Sequence, residues 1–293
     1  MPWPVLEPPP DVCYLIRRAA MWYRFLNPLR PMRDLYVHRE LLGQFARREI
    51  EARYRGSYLG LLWSLITPLV MLATYTLVFS TIFQARWRVD AVPQRGEFAL
   101  TLFAGLIAFN LFAECVTRAP TLVVANTNYV KNVVFPIQIL PVSALGAALF
   151  HGVVNVAILL VASLVVFGTL SHTLWLLPVA ALPLLAFSLG LSWLLASLGV
   201  FLRDTTYAVG MATQILFFLT PVFYRADAVP EPLRTVLGLN PLSNIVEDFR
   251  RVLVWSQTPD WTAWSIAMAT SAAVFVLGYA WFMITKPGFA DVL

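Results

Sequence analysis

The side chains of this chain that could do chemistry are few and unevenly placed. Arg47, Arg48, Arg53 and Arg55 crowd together just ahead of the first long apolar run. Guanidinium groups in that position suit the anionic headgroups of a membrane face better than nucleic acid. Lysine occurs only at Lys131 and Lys286, and neither stands in a G-x-x-x-x-G-K-[ST] frame, so the sequence offers no P-loop for ATP. His38, His151 and His172 are scattered, without an H-E-x-x-H or a Cys/His cluster. Cys13 and Cys115 match no zinc spacing and suggest no disulfide framework. No G-x-S-x-G is present. The search for a metal site or a nucleophile therefore ends empty.

The elements that must position these residues belong to a membrane protein. Of 293 residues, 59% are hydrophobic and only 13% charged, with a mean hydropathy of +0.72. So few charges cannot cover a soluble surface, and disorder needs the opposite composition. Runs of about twenty apolar residues predict six spans, at about 58–83, 98–116, 137–167, 174–202, 207–223 and 264–284. The predicted fold class is an all-α membrane protein. Residues 1–10 hold Glu7 and five prolines and show no cleavable signal peptide. Ten arginines precede the first span, and Arg118, Lys131, Arg203 and Lys286 fall on the same side. The opposite side holds seven arginines. This bias of fourteen to seven places both termini in the cytoplasm.

Charges inside spans are functional candidates by default. Glu114 and Arg118 stand four residues apart and are expected to pair with each other. His151 and Asn155 have the same spacing, which suggests a hydrogen-bonded packing pair rather than a proton relay. Spans one, five and six hold no acid between their ends. That argues against a proton-driven porter and for a permease powered from outside its own chain.

Three regions outside the spans are unusual. Residues 33–57 read as a helix with Leu42, Phe45, Ala46 and Ile50 on one arc. Arg39 and Arg53 fall on that arc and would have to snorkel, while Glu49–Arg53 and Glu51–Arg55 are spaced to pair. The pattern fits an interfacial helix or a plain topology anchor. Residues 117–136 mix Asn126, Asn128, Lys131 and Asn132 with valines, either a docking surface or an ordinary loop. Residues 224–261 carry prolines between short apolar patches. They form either two short helices dipping back over a pore or a hairpin lying on the surface. Aromatic residues, 14% of the chain, serve as interfacial belts or as the lining of a sugar pathway.

Several motifs, in order, resemble the ABC-2 type permeases, and more narrowly their polysaccharide-exporting branch of O-antigen, teichoic acid and capsule exporters. They are Arg48-Glu49-Ile50, Arg53-Tyr54-Arg55-Gly56-Ser57, Leu59-Gly60 and Leu62-Trp63-Ser64-Leu65-Ile66-Thr67-Pro68. Asn126 through Lys131, Phe135-Pro136, Ile139-Leu140-Pro141, Arg203-Asp204, Pro221-Val222-Phe223-Tyr224, Asn240-Pro241 and the ending Phe289 to Leu293 follow. Thr67 departs from the pattern, since asparagine is expected before the proline.

The resemblance implies a variable extension over 1–32, an interfacial or gate helix over 33–57 and a transmembrane domain over 58–293. It implies a homodimer with two copies of a separate nucleotide-binding subunit, which binds ATP and Mg; this chain would hold no cofactor. The cargo would be a lipid-linked polysaccharide crossing the bacterial inner membrane. Under it, Arg47, Arg48, Arg53 and Arg55 receive the polyprenyl diphosphate at the cytoplasmic entry, for which a guanidinium fork is suited. Asn126, Asn128, Tyr129, Lys131 and Asn132 couple to the ATPase. Phe223, Tyr224, Asn240, Pro241 and Phe249 stand at the outer gate. Two rival readings are an ABC-2 exporter of small hydrophobic drugs or lipids, and a membrane-embedded glycosyl or acyl transferase. The second would need an acid/base or metal constellation that Asp227, Glu247 and Asp248 do not form by spacing.

Overall fold

The computed structural model describes residues 36–82, 96–131, 135–225, 229–231, 237–238 and 240–293. Among these residues the chain is built of helices, with no strand, and it folds as an all-α, multi-span membrane protein. The expected extension over 1–32 lies outside the described residues.

Helix α1, Arg39–Tyr54, leads into the bundle. It stops where Arg55 turns extended and Gly56 takes a φ of +85°, a conformation that a residue without Cβ adopts cheaply. A 3-10 turn, Gly60–Leu62, opens the first span. The span continues as α2, Trp63–Tyr75, and widens into π-helical winding over Thr76–Ile82. Helix α3, Glu97–Leu122, is the axis of the molecule. Of its most apolar stretch 83% is buried, against 11% for the first span. The first span therefore turns Leu61, Leu65 and Leu69 outward, towards lipid or another chain.

A short helix α4, Thr127–Lys131, follows. The chain then recrosses as α5, Ile139–Phe167; α6, Leu177–Phe201; and α7, Thr205–Leu219. Helix α7, at 15 residues, rises only about 22 Å, less than the roughly 30 Å of a hydrocarbon core. Hydropathy outlines this span as 207–223, but the helix ends at Leu219. Thr220 precedes Pro221 and is extended, because a residue before proline is pushed out of the helical region. Helix α9, Trp261–Thr285, completes the bundle, and a last turn, α10, spans Phe289–Val292.

Helix α3 packs against α5 and α6, and α6 packs against α9 along much of its length. The α6–α9 seam is set by two glycines: a Cβ on Gly278 would run into the Gly190 carbonyl. That close approach drives Trp193 between Phe275 and Tyr279, with ring centroids 5.2 and 5.1 Å away. Small residues at a crossing let backbones touch, which is how helices gain contact where lipid supplies no hydrophobic drive.

At one end of the bundle, helix α8, Pro241–Leu253, dips back and is buried along Leu242, Ile245, Val246 and Phe249. Asn240 caps it, its side chain accepting from the Leu242 N–H at 3.0 Å, with Pro241 at the first helical position. Arg250 is the unexpected residue. Read as an outward topological charge, it is instead 0% exposed. Its guanidinium donates to the Val222 carbonyl at 2.6 Å, the Thr101 carbonyl at 3.3 Å and Glu247 at 3.1 Å. Two of these acceptors are backbone carbonyls and the third is a carboxylate, so the buried cation is satisfied and drops out of the charge count. Asp248 accepts from the Asp260 N–H at 3.1 Å and ties α8 to the start of α9.

Gly278→Ala is expected to lower the melting temperature of the purified protein, at a cost of about 1–3 kcal/mol for overpacking. Gly210→Ala, where a Cβ meets open space, is expected to be neutral or slightly stabilising in its helix. Equal melting temperatures for the two variants would contradict the glycine seam.

Candidate functional site

The arginine-bearing helix α1 lies against the first half of α5, close enough that a Cβ on Gly146 would sit 3.0 Å from the Ala46 Cβ. Its last turn brings Arg53 and Tyr54 to the end of α3. There Arg53 donates to Glu114 at 2.6 Å, and His151 Nδ1 lies 2.9 Å from the same carboxylate oxygen. Tyr54 Oη is 2.9 Å from His151 Nε2. The ring is thus held at both nitrogens, Nδ1 towards the Glu114 carboxylate and Nε2 towards the tyrosine hydroxyl. Burial pushes the Tyr54 phenol up, Arg53 pulls it back and Glu114 pushes it up again. One turn nearer the end of α3, Arg118 donates to Glu49 of α1.

These pairings replace the ones expected from spacing. Glu114 and Arg118 do not pair with each other; each reaches across to α1. Neither Glu49–Arg53 nor Glu51–Arg55 forms. Arg47, not Arg55, holds Glu51, at 2.8 Å. Asn155 does not bond His151, whose ring is held by Glu114 and Tyr54. Glu51 still takes a partner four residues away on the exposed face; the other three share one reason. Spacing of four places two groups on one face, but a side chain at a helix–helix seam takes the partner that shields it from lipid. Arg53 accordingly does not snorkel; it turns into the seam.

Behind this cluster opens a cavity of about 790 Å³ between α2, α3 and α5. Arg53, Tyr54, Glu114, Thr117, Arg118 and His151 form its mouth. Ser64, Thr67, Asn110 and Asn155 follow, and Tyr75, Phe103 and Ile107 form apolar wall. The arrangement can take an anionic or hydrogen-bonding group at the mouth and a less polar body within.

The four arginines proposed for the entry are thus not one site. Arg47 is engaged with Glu51 on the exposed face. Arg48 donates to the Tyr129 hydroxyl at 3.1 Å, and Arg53 belongs to the cavity mouth. Arg55 is exposed and makes no ion pair among the described residues. The loop residues divide as well. Asn126 bonds the Leu122 carbonyl at the end of α3, which continues six residues beyond the span outlined by hydropathy. Tyr129 is packed inward against Phe45 and Phe135, at 5.5 and 4.8 Å. Asn128 and Lys131 are exposed, and Asn132 lies outside the described residues. At the far end, Phe223 meets Phe217 at 5.0 Å and Tyr224 donates to the Phe218 carbonyl at 2.9 Å. Asn240 also donates to Thr220 at 3.0 Å. Phe249 is 3% exposed and faces the core.

Sequence reasoning gave no site role to Glu49, Tyr54, Asn110 or Arg250. For Glu49 and Tyr54 it offered only local spacing and motif membership, because their partners lie on other helices. Asn110 did carry a signal. It stands four residues before Glu114, on the same face of α3, and Asn155 stands four after His151.

A family model described as ABC-2 type transporter matches residues 40–254, from α1 through α8, and the chain belongs to that family. It is a transporter membrane protein. Curated relatives agree. The O-antigen export system permease protein RfbA of Myxococcus xanthus is 30% identical over 234 residues, 79% of this chain and 87% of that protein. A protein of the same name from Klebsiella pneumoniae is 26% identical over 256 residues, 87% of this chain and 95% of its own length.

Glu114→Gln is expected to destabilise the detergent-solubilised protein by about 1–3 kcal/mol, since it leaves Arg53 and His151 half-satisfied. Glu51→Gln removes an exposed pair and is expected to cost about 0.5 kcal/mol or less. Thermal unfolding compares them, and equal losses would contradict the special place of Glu114.

Proposed function

We propose that this chain is the permease subunit of an ATP-driven exporter that carries an O-antigen-type polysaccharide, linked to a polyprenyl diphosphate, across the bacterial inner membrane. It works as a homodimer with two copies of a separate nucleotide-binding subunit, where ATP and Mg are held. Both termini face the cytoplasm. The cargo follows the printed names of the relatives. The orientation follows the arginine bias, and the two ends of the described chain agree with it. Helix α1 and the Lys286–Gln138 contact, 2.9 Å long, both lie at the end of the bundle that holds Glu114.

The observation that carries the reading is the position of α1. Through Phe45 it touches Tyr129 and Phe135, with the Phe45–Phe135 rings 5.2 Å apart. Through Arg53 it closes the cavity mouth. One rigid helix thus joins a loop that offers Asn128 and Lys131 to a partner with the gate of a membrane cavity. Closure of the ATPase subunits pushes on α4. Packed rings transmit the displacement because they cannot compress. Helix α1 then draws Arg53 off Glu114 and the mouth opens. Arg55, already free, meets the diphosphate first; Arg48 and Arg53 follow once released from Tyr129 and Glu114, and Arg47 contributes least. Beyond the entry each contact with the glycan stays weak, since a pathway that binds tightly does not release. At the outer face Phe223 and Tyr224 border the exit, while Asn240, Pro241 and Phe249 hold α8 in place beside it.

Export assayed in single Arg→Gln variants that insert normally tests the entry. Arg55→Gln is expected to reduce export by about tenfold, the worth of one charge-assisted hydrogen bond, and Arg47→Gln least. Unchanged export in Arg47, Arg48, Arg53 and Arg55 variants alike would remove the diphosphate role. Tyr129→Ala tests transmission in the assembled complex. ATP hydrolysis is expected to continue while export falls, and a matched fall in both would contradict a lever through α1.

A further inference from the structure

Two amides inside the cavity point to a more specific ligand. We propose that Asn110 and Asn155 form a sugar-binding subsite, which takes the glycan unit adjoining the lipid diphosphate; the proposal rests on the export reading above.

Their register follows from the cluster at the mouth. Glu114 of α3 touches His151 of α5, and Gly152 faces Leu111, whose Cδ1 would lie 3.2 Å from an added Cβ. The two helices run in opposite directions. A step of four residues from each contact, back along α3 and forward along α5, therefore brings Asn110 and Asn155 to one level. That level is about 6 Å, one helical turn, further into the cavity. Asn110 is exposed there, although its neighbours from Phe98 to Phe112 are all buried. The Asn155 Oδ1 is shut away from solvent and has no hydrogen-bond partner among the described residues. Both residues line the cavity wall. Polar groups at membrane depth are expensive and persist where they meet a partner. Here the described residues supply none to the Asn155 Oδ1.

The missing partner has a definable chemistry. The Asn110 amide, exposed to the cavity, offers two N–H donors and a carbonyl acceptor, and the unpartnered Asn155 Oδ1 takes a donor once its side chain turns into the cavity it lines. Sugar hydroxyls answer both. A fatty acyl chain answers neither, and a phosphate has no proton to spare for Oδ1. No charged side chain lines the cavity deeper than Glu114, so a neutral ligand is favoured and is not trapped. Tyr75 and Trp63 add ring faces to the same wall, and the volume of about 790 Å³ lies within the usual range for small-ligand sites. One turn separates the amides from the Arg53–Glu114 pair, which puts the sugar directly inside a diphosphate held at the mouth.

The test uses the purified full-length chain in nanodiscs and two probes, a polyprenyl diphosphate and the same lipid bearing one hexose. Binding is measured by isothermal titration for the unmodified protein, Asn110→Ala and Asn155→Ala. The unmodified protein is expected to hold the hexose-bearing lipid about tenfold more tightly than the bare one. Each variant is expected to lose roughly 3–10-fold of that preference, the worth of one hydrogen bond. Equal affinity of the unmodified protein for the two lipids would overturn the subsite and leave the export reading standing. An undiminished preference in both variants would overturn the assignment to these amides. Failure to bind either lipid would overturn the subsite together with lipid-linked export.

Discussion

A bilayer contains no water to stabilise a stranded charge, and this constraint shapes the molecule more than any single contact. Each ion at a helix seam has recruited a partner from a distant part of the chain. Glu114 holds Arg53 and His151; Arg118 reaches Glu49; Arg250, fully buried, is satisfied by two backbone carbonyls and Glu247. The consequence is mechanical as well as energetic. A helix that would otherwise float in the membrane interface is fastened to the bundle at Glu49 and Arg53. The outer helix is fastened at Arg250 where the ends of α3 and α7 meet.

The fastenings differ in kind, and the difference bears on function. At the outer end the guanidinium is sealed in protein, so Arg250 fixes α8 as part of the scaffold. At the other end Arg53 remains half exposed beside an open cavity. Water reaches the Arg53 side of that pair, whereas the Arg250 side chain is sealed off from it. The aromatic joint of Phe45, Tyr129 and Phe135 is instead packed ring on ring. Within one chain, therefore, a stiff joint and a loose latch sit on the same helix, only two turns apart.

The lining of the cavity changes in character from the mouth inward. Charge is confined to the mouth, where Arg53 meets Glu114 and Arg118 meets Glu49. Further in, neutral amides give way to rings and aliphatic side chains. The lining thus grades from ionic through neutral to apolar with distance from the mouth.

Much of this was legible from the residues alone. Hydropathy is a property of short contiguous stretches, so the six runs, the unusual segments between them and the order of the motifs could be read directly, and with them the family. Partner choice was not legible. The spacings Glu114–Arg118, Glu49–Arg53 and His151–Asn155 each promised a local pair, and each was overridden by a residue between 37 and 98 positions away. The rotation of each helix about its axis decides which face meets a neighbour, and it is set by shape at crossings such as Gly190–Gly278. That information is spread over the whole packed bundle. Sequence therefore determined which segments enter the membrane, and tertiary structure alone decided which charges meet there and what space they leave open.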